Sequence, residues 1–175
     1  LSANYYTDMG MYRDDNYTKG GYNLNVDHYI YSNFKIRASN ILYLGDRDSN
    51  GWTAYWRNPI YPVYNEDGSY WQANNTDYDH PVALRELKKN KTKMLDVISS
   101  AALEWQILPE LKLTSQLNYK YGKSTNDQYF PKKYTQAGNE NGGRGIIGNT
   151  EGQNFVSETF ANYSKLFNEK HELGV

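Results

Sequence analysis

The sequence predicts an all-β fold: an antiparallel meander of about seven strands forming part of a transmembrane β-barrel wall, with long extracellular loops and short periplasmic turns. Three observations lead there. Apolar and polar residues alternate with period two over several long segments. The connections between those segments alternate between long and short. Tyrosine supplies 18 of 175 residues, yet only 38% of the chain is hydrophobic. A buried tyrosine needs a partner for its hydroxyl, so soluble cores seldom rely on it. A membrane barrel accommodates both facts, because alternate strand residues face a wet lumen and aromatic girdles sit at both interfaces.

The strands are expected at 1–7, 18–31, 34–45, 94–107, 111–123, 155–167 and 171–175. In the second, Tyr22, Leu24, Val26, His28 and Ile30 share one face, against Asn23, Asn25, Asp27, Tyr29 and Tyr31. In the third, Phe34, Ile36 and Ala38 oppose Lys35, Arg37 and Ser39. Val97, Ser99, Ala101, Leu103 and Trp105 line one face of the fourth. The fifth is the cleanest, with Leu111, Leu113, Leu117, Tyr119 and Tyr121 against Lys112, Thr114, Gln116, Asn118 and Lys120. A helix would mix these sets, so they read as strands with one apolar face. Several are longer than the ~5–6 residues usual in soluble sheets and match the ~9–11 of a membrane-crossing strand.

Between them lie Asp8–Tyr17, Ser32-Asn33, Asp46–Lys93, Leu108–Glu110, Ser124–Asn154 and Asn168–Lys170, long and short in strict alternation. A membrane meander puts its short turns on one side and its long loops on the other. In the longest loop, Asn65-Glu66-Asp67-Gly68 sits between Ile60–Tyr64 and Ser69–Trp71, which predicts a small hairpin. His80-Pro81 opens a further turn, and Val82–Lys89 suits a short helix with Leu84 and Leu87 on one side. Lys88, Lys89, Lys91 and Lys93 read as a solvated loop base.

The chain opens on Leu1 and closes on Val175 inside an alternating run, so it is expected to be a segment of a longer protein. With 19 basic and 20 acidic side chains, it lacks the cationic excess of a nucleic-acid binder. There are no cysteines. Asp46, Asp48, Asn50 and Gly51 resemble the start of an EF-hand loop, but Arg57 stands where its bidentate glutamate is needed, leaving an acidic turn. Gly143, Gly145 and Gly148 fit a dinucleotide fingerprint by spacing only, inside a Gly- and Asn-rich loop rather than between a strand and a helix. His28, His80 and His171 form no ligand-spaced pair, and no acid–base set is visible, so no enzyme, metal or cofactor is expected. Trp52, Tyr55, Trp56, Tyr70 and Trp71 are the candidate ligand-binding residues. Their flat faces, beside Arg57, Asn58, Gln72 and Asn74, suit a sugar or peptide. The competing expectation is that they pack on one another to order the loop.

Six segments carry a family resemblance: Tyr22–His28, Pro59–Tyr70, His80–Ala83, Leu111–Tyr119, Asn141–Gly143 and Asn162–Phe167. In these, and in their order, the chain resembles the barrel region of SusC/RagA-type TonB-dependent outer-membrane transporters of Bacteroidetes; His80-Pro81 departs from the family's usual Asn-Pro. The resemblance implies that residues 1–175 are part of a 22-stranded barrel whose plug domain and remaining strands lie elsewhere. It implies import of glycan fragments or peptides with TonB-supplied energy, a SusD-like surface lipoprotein as partner, and contact with outer-membrane lipid. The alternative is a soluble or cell-surface β-rich glycan-binding module. That alternative predicts a second sheet packed on strands 94–107 and 111–123, whereas a barrel wall predicts a bare face.

Overall fold

The computed structural model describes residues 1–11, 15–49, 57–72, 80–168 and 171–174, with Phe167 and Glu172 described by backbone alone. Seven strands form one antiparallel sheet in strict sequence order: β1 (Ser2–Met9), β2 (Asn16–Tyr31), β3 (Phe34–Asp48), β4 (Lys89–Leu108), β5 (Leu111–Phe130), β6 (Arg144–Phe167) and β7 (His171–Gly174). Two short helices, α1 (Pro81–Leu87) and α2 (Gln136–Glu140), lie in the long connections. Among the described residues, each strand packs chiefly on its neighbours in sequence, and the sheet is a single layer. Among the described residues there is no second sheet.

Register places the expected faces side by side. Val26, Ala38, Ala101, Leu117 and Ser157 lie in one row across β2 to β6. The rows on either side add Ile36 and Leu103, then Asn40, Ser99 and Tyr119. One face is therefore apolar from strand to strand. Several of its polar groups bond one another: Tyr22 donates to Asn40 Oδ1 at 2.8 Å, Asn40 Nδ2 donates to Ser99 Oγ at 2.7 Å, and the Ser115 and Thr159 hydroxyls meet at 2.9 Å. Aromatic residues flank this band, with Phe34, Trp105 and Tyr163 towards the short turns and Tyr22, Tyr119, Tyr121 and Phe155 towards the long loops.

Among the described residues nothing covers the apolar face. Tyr22, Leu24, Val26, Leu44, Leu103, Trp105, Leu117, Tyr119 and Phe155 are between 37% and 64% exposed. At ~200 Å² for each full side chain, they leave a surface of about 800 Å², more than a typical soluble monomer tolerates in one patch. The only buried hydrophobic residues among those described are Ala83 and Leu84 of α1. The small core thus lies in the connections, not in the sheet.

The short turns are tied down. Gln106 N–H donates to Asn33 O at 2.8 Å and Asn33 Nδ2 to Gln106 O at 3.2 Å, which staples the β2–β3 turn to β4. Ser164 N–H donates to Glu110 O at 2.9 Å and does the same for the β4–β5 turn.

The seven strands occur in the expected order, but β3 to β6 run further towards the long loops. The alternation fades there because both faces turn polar, as in Lys123–Asp127 and Asn149–Asn154, while the backbone ladder continues wherever a partner strand lies alongside. Asp46 and Asp48 consequently belong to β3, opposite Lys93 and Lys91, and do not form the expected acidic turn; Asn50 and Gly51 fall outside the described residues. Gly145 and Gly148 lie in β6, with α2 before them, the reverse of the order a dinucleotide site needs. Lys89, Lys91 and Lys93 are strand residues that end the apolar face, and Lys91 Nζ lies 3.6 Å from Asp46 Oδ1.

Candidate functional site

Two polar assemblies lie outside the apolar band. The first is built from the long connections. Gly68 takes φ +79, which its missing side chain permits, and donates to Asn65 O at 3.0 Å to close the expected turn. Asp67 Oδ1 accepts from the Ser69 hydroxyl at 2.6 Å and the Ser69 N–H at 2.9 Å. The hydroxyl bond first, and the backbone bond after it, hold the Asp67 carboxyl below its ordinary range. Tyr64 bridges Tyr70, and Trp71 N–H donates to Val63 O at 3.0 Å, so the segment is a hairpin as expected.

Helix α1 begins at Pro81, whose fixed φ and missing N–H suit a first helical position. His80 caps it: Nδ1 accepts from Ala83 N–H at 3.2 Å, and Nε2 lies 3.1 Å from Val63 O. A carbonyl only accepts and a backbone N–H only donates, so the proton sits on Nε2 and the ring is neutral. His80 is fully buried. Leu84 packs inward, whereas Leu87 stays at the surface, so the expected apolar side of the helix is only half realised.

The second long connection closes on the first. Tyr134, at φ +71, offers its carbonyl to His80 N–H at 3.3 Å. Thr135 caps α2 by accepting from Gly138 N–H at 3.0 Å, and its hydroxyl donates to Pro131 O at 2.8 Å.

Tyr70 and Trp71 are brought into this cluster. The Tyr70 ring meets those of Tyr64 at 5.6 Å, His80 at 5.2 Å and Tyr134 at 5.0 Å. Its hydroxyl donates to Glu86 of α1, and that bond is the main reason its pKa is pushed up to about 12. Trp71 packs on Tyr61 at 4.9 Å, and Arg57 lies over both rings while donating to Trp71 O at 2.8 Å. Both aromatics pack within the loop while staying half-exposed, and Tyr61 and Tyr64 keep exposed edges. Trp52, Tyr55 and Trp56 lie outside the described residues.

The second assembly is the polar face of the sheet. Lys35 Nζ meets Asp27 at 2.6 Å. Glu104 joins Arg37 of β3 to Lys112 of β5, the latter at 2.6 Å, and Gln116 donates to Glu158 of β6. Beside them is a shallow depression of about 380 Å³, lined by Asn25, Asp27, Arg37, Ser39, Ser100, Gln116 and Asn118. Ile41, Ile98, Val156 and Phe160 interrupt an otherwise hydrophilic surface. Alternation marks each residue's face, but the pairing of Arg37 with Glu104 and of Glu104 with Lys112 depends on register across three strands.

No three metal-ligating side chains converge among the described residues. Comparison with protein-family models and with curated proteins returns no match for the chain.

Proposed function

We propose that the chain is part of the wall of an outer-membrane transport barrel, and that it is not an enzyme. The observation that carries this reading is the uncovered apolar band opposite a charged, hydrogen-bonded face on a one-layer meander. On β4 the band runs from Leu95 to Ile107. At ~3.3 Å per residue that is about 40 Å, and at a strand tilt of ~45° it is about 28 Å tall, close to the ~25 Å band of an outer-membrane barrel. A membrane supplies the missing cover, and a closed ladder satisfies the backbone groups that lipid cannot. The polar face then lines a hydrated path for solutes.

The resemblance to SusC/RagA-type transporters supports the finer reading. The cargo is a glycan fragment or peptide, energy arrives from a TonB complex through other parts of the protein, and a SusD-like lipoprotein sits over the long loops. The loop aromatics Trp52, Tyr55, Trp56, Tyr70 and Trp71 are the proposed contacts for cargo. Replacing Trp52 and Trp56 with Ala tests that role: uptake falls if they bind cargo and is unchanged if they do not.

Trp105 tests the membrane reading. Among the described residues it is the one tryptophan in a strand, and it lies on the apolar face. In bilayers with brominated acyl chains its fluorescence is quenched, and the quenching disappears in Trp105→Phe. Equal quenching in both proteins would reject a lipid-facing band.

A further inference from the structure

We propose that His80 is an acid-sensitive latch between the two longest connections. Bonds from three parts of the chain converge on this residue. Its backbone N–H binds Tyr134 O in the 131–143 connection, its Nε2–H binds Val63 O in the hairpin, and its Nδ1 caps α1 through Ala83 N–H. The two ring bonds require opposite roles of the two nitrogens, which only the neutral ring supplies. Protonation puts a hydrogen on Nδ1, facing the Ala83 N–H, inside a fully buried site. The cap is then lost, and a positive charge sits at the end of a helix that disfavours it. Either the ring leaves or α1 moves.

The surrounding groups make that movement consequential. Tyr70 of the hairpin and Tyr134 of the other connection pack on the ring at 5.2 and 6.3 Å. The charged groups on the packed elements are Glu86, Arg85 and the C-cap Lys88 of α1, Arg57, Glu66 and Asp67 in and beside the hairpin, and Lys132, Lys133 and Glu140 of the 131–143 connection. Glu86 is held by the Tyr70 hydroxyl and by Arg85 at 3.4 Å. Asp79 precedes His80 and falls outside the described residues. Tyr134 holds a left-handed backbone, φ +71, at the point where the two connections meet. Once the latch opens, that conformation loses one of the contacts that keep it. Burial and the helix N-terminus both oppose the charged ring, so the latch stays closed at neutral pH and opens only on acidification below the ordinary histidine value of about 6.5. It acts whether or not the sheet lies in a membrane.

The absence of cysteine allows a clean test. Spin labels at Glu66→Cys in the hairpin and Lys133→Cys in the other connection report the separation of the two segments in the intact protein. We expect one narrow distance at about pH 8 that broadens and lengthens reversibly at about pH 5, the span over which histidine titrates. His80→Asn keeps a capping side chain without a titrating one. It therefore loses the pH response, staying narrow if its amide spans the cap and broad if it does not. The proposal is overturned if the wild type stays narrow at low pH, or if His80→Asn switches as the wild type does. It is overturned equally if Glu86→Gln abolishes the switch while staying narrow.

Discussion

Leu117→Arg discriminates most sharply between a face that meets lipid and one that meets water. Leu117 is 42% exposed and lies in the row of Val26, Ala38, Ala101 and Ser157, midway along the apolar band. In a bilayer that row is near the midplane, where an outward arginine costs ~2–4 kcal/mol. At 1.4 kcal/mol per tenfold, the folded-to-unfolded ratio falls by a factor of about 30 to 700. In water, the same half-exposed side chain carries its charge to solvent, and the change stays within about 0.5 kcal/mol. Leu44→Arg supplies the internal comparison. Leu44 is 57% exposed and lies in the row of Leu95 and Lys123, where the band ends. Near an interface the cost drops to ~0–1 kcal/mol. Urea unfolding of the protein in lipid vesicles measures both. A depth gradient, with Leu117→Arg the costlier by ~1–4 kcal/mol, is the expected result. Equal costs at the two positions, or a larger one at Leu44, would refute the reasoning.

Three further outcomes follow from single contacts. Glu104→Gln leaves Arg37 and Lys112 side by side without their carboxylate, and should cost ~1–2 kcal/mol in the same unfolding assay, diminished in high salt. Gly138→Ala puts a Cβ 1.9 Å from Pro131 O and 2.5 Å from Thr135 Oγ1, so α2 loses its cap; faster proteolysis at 131–143 reports it, at a cost of ~1–3 kcal/mol. Tyr70→Phe removes the bond to Glu86. The raised pKa means the neutral phenol is favoured by the fold, so the stability gap between wild type and variant is complete below about pH 10, the ordinary tyrosine value, and closes as pH rises through about 12. A gap unchanged to the alkaline end would show that the hydroxyl bond adds nothing.

Period-two alternation was enough to place all seven strands and to assign Leu117 and Gln116 to opposite faces, because a strand's side chains must alternate whatever surrounds it. The Asn65–Gly68 turn was equally legible, since Asp-Gly followed by a strand-forming pair has few other conformations. The limits of β4 to β6 were not. Lys123–Phe130 has no apolar side, so only the presence of β4 and β6 alongside reveals that it is strand. His80-Pro81 before a short apolar run marked the helix at Val82–Lys89, within a residue of the start of α1 at Pro81. It could not have disclosed that Nε2 reaches Val63, or that Tyr134 closes over the same ring.

The sequence by itself therefore determined the local geometry: which residues extend, which turn, and which face each side chain takes. These depend on neighbours along the chain. Only the tertiary structure decided the pairings: Arg37 with Glu104 with Lys112, Tyr22 with Asn40 with Ser99, and the hairpin, α1 and Tyr134 around His80. Those partners lie on different elements, and a one-residue slip of register would replace every cross-strand partner. The uncovered apolar band joins the two levels. Alternation wrote it strand by strand, and the single-layer sheet assembled it into one surface.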